Sequence, residues 1–124
     1  MTPLVFVALS HAGGLGAGAR FVLDGLIRSH VASTYPLGTL IINISGSFLL
    51  GLVTGLSLSA VLPDEALLIV GSGFLGGYTT FSAASVESVR LLQERRYGIA
   101  LVNSVGMLVG SVLASACGLL LGSL

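Results

Sequence analysis

The chain has 124 residues, 54% hydrophobic and 8% charged, with five basic and five acidic side chains and no net charge. A mean hydropathy of +1.04 with so few charges excludes a soluble domain, whose surface must be wetted, and makes lipid the solvent. The absence of lysine and of net charge excludes a nucleic-acid surface, and Cys117, the single cysteine, excludes an intrachain disulfide or a thiolate metal site.

A membrane span needs about 20 largely apolar residues. This length therefore predicts one all-α membrane domain over residues 1–124, with four transmembrane helices and short loops. The first apolar stretch has no basic n-region or cleavage site before it and is expected to be a span rather than a signal peptide. Helix 1 is predicted from about Pro3 to Ile27, with proline tolerated where its missing N–H would be unpaired anyway. Gly14 and Gly18 in its second half give a small-xxx-small face for close packing. Residues 28–36 read as a loop. Helix 2 is predicted over about Pro36–Ala60, with Gly51 and Gly55 repeating the close-packing spacing. Its Thr39, Asn43 and Ser47 lie four apart on one face.

A Pro63-Asp64-Glu65 turn follows, with Asp64 the expected N-cap of helix 3. That helix is predicted over about 66–92 with a break at 76–80, in the run Gly76-Gly77-Tyr78-Thr79-Thr80-Phe81-Ser82. Each glycine costs about 1 kcal/mol against alanine in a helix interior. A break at bilayer depth leaves backbone groups unpaired, which is tolerated only where they line a cavity or bind an ion. Helix 4 is predicted over about 98–122, with Ser104, Ser111 and Ser115 on one face and Met107 between them.

All five arginines lie in or beside the first and third loops or on the adjoining half of helix 1. The positive-inside rule then puts loops 1 and 3 in the cytoplasm and both termini outside. Polar groups inside spans are expensive and need a reason. Serine and threonine most often bond their own i−4 carbonyl and aid packing; the Asn43 amide cannot be satisfied so locally. The polar faces of helices 2 and 4, together with Phe81, Ser82, Ser85 and Glu87 after the break, suit a narrow pathway. No carboxylate sits at the centre of helices 1, 2 or 4, so the lining reads as built for a small anion or a neutral solute. Arg20, Asp24 and Arg28, four apart, read as an interfacial salt-bridge ladder before a selectivity element.

Three segments resemble one family. Gly13-Gly14-Leu15-Gly16-Ala17-Gly18-Ala19-Arg20 resembles a GGxxGAxxR signature. Residues 38–48, from Gly38-Thr39 through Asn43 to Ser47-Phe48, resemble GTLxxNxxGxF. Residues 73–82, from Gly73 to Ser82, resemble GFxGGxTTFS. Together they are similar to the CrcB/Fluc fluoride channel family over nearly the whole chain.

The resemblance implies passive fluoride export across the inner membrane by an antiparallel dimer, with pores along the dimer interface and a structural sodium ion at its centre. The sodium would be held by backbone carbonyls of Gly76 and Thr79 from each subunit. Asn43 would line the pore, with Thr39 and Ser111 at further polar positions and Ser82 beside Phe81, the first ring of the family's phenylalanine pair. Arg20 would sit at a vestibule and Glu87 at the family's acidic position. Three departures follow: the second ring is replaced by Ala84 and a pore-track threonine by Ala83, while Met107 stands where tyrosine or histidine is expected. Such a subunit is expected to conduct poorly or to need a partner that supplies the ring. Its arginine bias favours an oppositely oriented paralogue over an identical copy. Two other readings fit a small helical membrane protein. A small multidrug-resistance exchanger needs a mid-helix-1 glutamate that this chain lacks, and a non-conducting scaffold would not need Asn43 or the break.

Overall fold

The computed structural model describes residues 2–30 and 37–124, with the backbone alone described for residues 81–84. Thr2 caps the first helix, its Oγ1 accepting the Val5 N–H at 3.2 Å, and α1 runs over Pro3–His30. It continues past Ile27 because Arg28 pairs with Asp24 one turn back, Nε to Oδ2 at 3.0 Å. Helix α2 spans Leu37–Leu58; Pro36, expected to open it, lies outside the described residues. Next comes α3, residues 64–78, which is α-helical at Asp64–Leu67, π-helical over Leu68–Leu75 and α-helical again at Gly76–Tyr78. Helices α4 (Phe81–Gln93) and α5 (Tyr97–Ser123) complete the chain. No strand occurs among the described residues. Helices α1, α2 and α5 are each long and apolar enough to cross a membrane.

Two glycine seams organise the packing. Along α2 and α5, Gly51 faces the Ser115 carbonyl, Gly55 faces Gly122, and Gly118 faces the Phe48 carbonyl. Asn43 meets Met107 near the start of the pair and Gly55 meets Gly122 near its end, so the two helices run parallel with backbones in direct contact. Along α1 and α3, Gly16 faces the Phe74 carbonyl, Gly77 the Gly13 carbonyl, and Gly73 the Leu9 carbonyl, and these two also run parallel. Inside lipid there is little hydrophobic drive between helices, so such close contact supplies dispersion where larger side chains would hold the backbones apart. The Gly51–Gly55 expectation holds. Gly14 and Gly18 make no close contact within this chain, since a Cβ on either would meet nothing within 4 Å; the face turned to α3 is at Gly13 and Gly16.

Helices α3 and α4 descend antiparallel along α2. Ser57 donates to Asp64 Oδ1 at 3.0 Å, Gly71 lies against Leu50 and Gly46 against Thr79, and Thr39 reaches Glu87 at 2.9 Å. Asp64 thus fastens α2 rather than capping its own helix, whose cap is Pro63 with no side-chain bond. The ends of α2 and α4 close with the second residue past each helix in the left-handed region, Ala60 at φ 63° and Arg95 at φ 60°. The next N–H then reaches back five residues, Val61 to the Leu56 carbonyl at 3.0 Å and Arg96 to the Leu91 carbonyl at 2.9 Å. Large apolar side chains such as Phe21, Leu15, Leu108 and Leu120 remain exposed on the outside of the bundle.

Candidate functional site

The break between α3 and α4 is made by threonines. Gly76 is helical at φ −61° and ψ −41°, and Gly77 is needed small because it packs on the Gly13 carbonyl. Unwinding expected over residues 76–80 is therefore confined to Thr79 and Thr80. Thr79 is extended, at φ −83° and ψ 158°, a conformation that suits a β-branched residue. Its N–H and its Oγ1 both donate to the Leu75 carbonyl at 2.9 Å. The glycine at Gly46 leaves room for its methyl group.

Asn43 supplies what the broken helix loses. Its Oδ1 accepts the Thr80 N–H at 2.9 Å and its Nδ2 donates to the Thr80 carbonyl at 2.8 Å. In a continuing helix that N–H would have closed on the Gly76 carbonyl, so the clamp deprives Gly76 of its ordinary partner. The neighbouring Gly77 carbonyl accepts Arg20 Nε at 3.3 Å. The second Nδ2 hydrogen of Asn43 goes to Met107 Sδ at 3.2 Å. Tyr78 completes the joint, its ring stacked on Phe74 with centroids 6.2 Å apart and its hydroxyl 3.0 Å from Ser45 Oγ.

A cavity of about 720 Å³ opens against this joint, walled by α2, α3, α4 and α5. Ser47, Ser72, Ser85, Ser88, Ser104 and Ser111 line it with Asn43 and Asn103, and no carboxylate or arginine is on its wall among the described residues. Of the residues expected at a site, Asn43, Gly76, Thr79, Met107 and Ser111 stand on this wall together. Thr39 and Glu87 stand apart from it, buried against each other, with Arg28 Nη2 3.7 Å from Glu87 Oε1. Arg20 leaves the expected ladder with Asp24 and Arg28 to bind the Gly77 carbonyl. The side chains of Phe81 and Ser82, like those of Ala83 and Ala84, lie outside the described residues.

Asn103 and Ser88 were missed by the sequence reading. Asn103 is fully buried, donates Nδ2 to Ser88 Oγ at 2.9 Å, and leaves Oδ1 without a partner. Ser104 donates to the same Ser88 oxygen at 3.1 Å. The signal was present: Asn103 falls four residues before Met107 and eight before Ser111, both already placed on the polar face of this helix.

Residues 7–119 match the family described as CrcB-like protein, Camphor Resistance (CrcB). The chain is 56% identical over its full length to "Fluoride-specific ion channel FluC 1" of Leifsonia xyli subsp. xyli, covering 90% of that protein. It is 47% identical to a "Fluoride-specific ion channel FluC 2" of Cutibacterium acnes, over 90% of this chain and 92% of the relative. A "Fluoride-specific ion channel FluC 3" of Bifidobacterium longum is 39% identical, over 97% of this chain and 99% of the relative.

Proposed function

The chain belongs to the CrcB family, and from that premise we infer that it is a subunit of a fluoride-specific ion channel and not an enzyme. One observation carries the reading at the level of the site: a largely apolar cavity studded with serine hydroxyls and two asparagine amides, without a carboxylate among its described lining residues, set against a clamped break. Hydroxyl and amide donors can replace the hydration of a small anion, and wall carboxylates would repel it. Fluoride then passes down its gradient without a coupled proton or cation, because nothing on the wall exchanges either.

The finer architecture is part of the proposal. Residues 64–93 travel the length of α2 in the opposite direction, which supports a fourth, interrupted crossing beside α1, α2 and α5. Two such bundles would meet in opposite orientations across the cavity side, bringing the two breaks face to face. The residues at the break suit a sodium ion there. Gly76 has lost its ordinary N–H partner to Asn43 and is open on its outer side, where a Cβ would meet only the Gly71 carbonyl at 4.0 Å. Extended Thr79 holds its carbonyl out of helical register. Carbonyl oxygens from unwound segments are hard donors that coordinate sodium at membrane depth. One subunit offers the pair Gly76 and Thr79, and a second would complete the shell. When bound, the ion supplies a fixed positive charge between the subunits.

Asn43, Ser111 and Met107 would then line the anion path, with Phe81 and Ser82 beside it as the family resemblance implies. Arg20 would hold the break and lend its charge to the approach, while Thr39 and Glu87 would buttress the path from behind. The arginine bias supports a fixed orientation in the cell's inner membrane, with loops 1 and 3 cytoplasmic and both termini outside. A subunit fixed in this way forms an antiparallel pair with a paralogue inserted the other way. Fluoride-loaded liposomes carrying this chain, alone and with such a paralogue, test the reading. A fluoride-selective leak that spares chloride supports it, and silence in both preparations removes it. Equal labelling of topology reporters from both sides would remove the paralogue alone.

A further inference from the structure

We propose that the Met107 thioether sets the anion preference of the path by holding, and giving up, the one exchangeable hydrogen of Asn43. The inference rests on the fluoride reading above. An asparagine side chain has two N–H donors and one carbonyl acceptor. Thr80 takes the carbonyl and one N–H, at 2.9 and 2.8 Å, and these bonds hold the break. Only the second N–H remains, and it meets Met107 Sδ at 3.2 Å on the cavity wall.

A thioether is a weak acceptor on a side chain with three rotatable bonds. It therefore keeps a buried donor satisfied while binding it less firmly than any oxygen would. A small anion with concentrated charge displaces it readily, because charge-assisted hydrogen bonds are about twice as strong as neutral ones. A larger halide, with its charge spread wider, gains less from the same exchange. Two neighbouring donors are already spent: the Thr79 hydroxyl on the Leu75 carbonyl and the Ser104 hydroxyl on Ser88. Met107 is only 8% exposed, so water does not take its place freely.

The test reads the Asn43 side-chain amide by ¹⁵N–¹H spectroscopy during fluoride and chloride titration of the full chain in lipid nanodiscs. Wild type is compared with Met107→Leu and with its Met107 sulfoxide form, in a Cys117→Ala background that confines oxidation to methionine. Met107→Leu removes the competing acceptor at nearly constant volume, and its fluoride midpoint should fall about threefold to fivefold. The sulfoxide oxygen, a strong acceptor, should raise the midpoint about tenfold, and a methionine sulfoxide reductase should restore it. Oxidised Met107→Leu, which retains only Met1, should not change. Equal fluoride midpoints in wild type, leucine and sulfoxide forms would overturn the Met107 assignment and leave the channel reading standing. No fluoride response in any form, with no efflux from liposomes, would take both.

Discussion

Thr39 and Glu87, 48 positions apart in sequence, are joined by a hydrogen bond of 2.9 Å from Oγ1 to Oε1. Both are buried, so this bond fastens the first turn of α2 to the middle of α4. Thr39→Val keeps the shape and removes the hydrogen-bond donor from the buried carboxylate. The expected cost is about 1–3 kcal/mol, the usual penalty for stranding a buried polar group. It should appear as a lower thermal midpoint in detergent. Arg28→Gln should cost less than about 1 kcal/mol, because that guanidinium is 62% exposed and sits 3.7 Å from Glu87.

Asn43→Leu should be among the most damaging single changes in the chain. It removes the side-chain partner of the Thr80 N–H and carbonyl together, for a loss of about 2–5 kcal/mol. Asn43→Asp separates structure from transport. It preserves the acceptor for the Thr80 N–H, but it sets a carboxylate against the Thr80 carbonyl and on the cavity wall. Fluoride efflux should drop by at least about tenfold, since like-charge repulsion of 1.4 kcal/mol already gives that factor.

Gly16→Ala and Gly14→Ala should part company although they are two residues apart. A methyl at position 16 would strike the Phe74 carbonyl and the Tyr78 N–H, whereas one at position 14 meets nothing. Overpacking of this kind costs about 1–3 kcal/mol. Thermal unfolding of the two variants should place Gly16→Ala well below wild type and Gly14→Ala at or slightly above it, given the better helix propensity of alanine. If position 14 lies in a subunit interface, its variant will instead shift the dimer fraction in cross-linking.

Ala60→Gly should stabilise the protein. Ala60 sits at φ 63°, which costs a residue with a Cβ about 1–2 kcal/mol. Glycine returns part of that through its greater freedom in the unfolded chain, leaving a net gain of about 0.5–1 kcal/mol. A rise in thermal midpoint with unchanged efflux is the expected result.

Much of this fold was legible in the sequence because apolar runs of span length admit few alternatives. The Gly51–Gly55 seam was also legible, since its small residues recur at the helical period. The partner face of α1 was not. Glycines at positions 13, 14, 16 and 18 point in several directions, and only the position of α3 selects Gly13 and Gly16. The break was found but misattributed: Gly76 and Gly77 have the poorer helix propensity, yet both are helical, Gly77 packed on the Gly13 carbonyl of α1, and the chain opens at the next β-branched pair. The π-helical register over Leu68–Leu75 has no signal in composition or spacing that could have revealed it. At the site, Asn43 and Ser47 of the α2 polar stripe stand on the cavity wall, while Thr39 turns to Glu87. On α5 the serine row drew attention from Asn103, whose burial depends on Ser88 from another helix.

The Asn43 clamp also bears on how such a protein can move. A joint whose peptide groups are both held by one side chain from a neighbouring helix cannot straighten or swing without tearing two bonds at once. The interrupted segment is thus a fixed corner rather than a hinge. A conduit built around it would stay open at rest, with traffic regulated by what fits and not by a door.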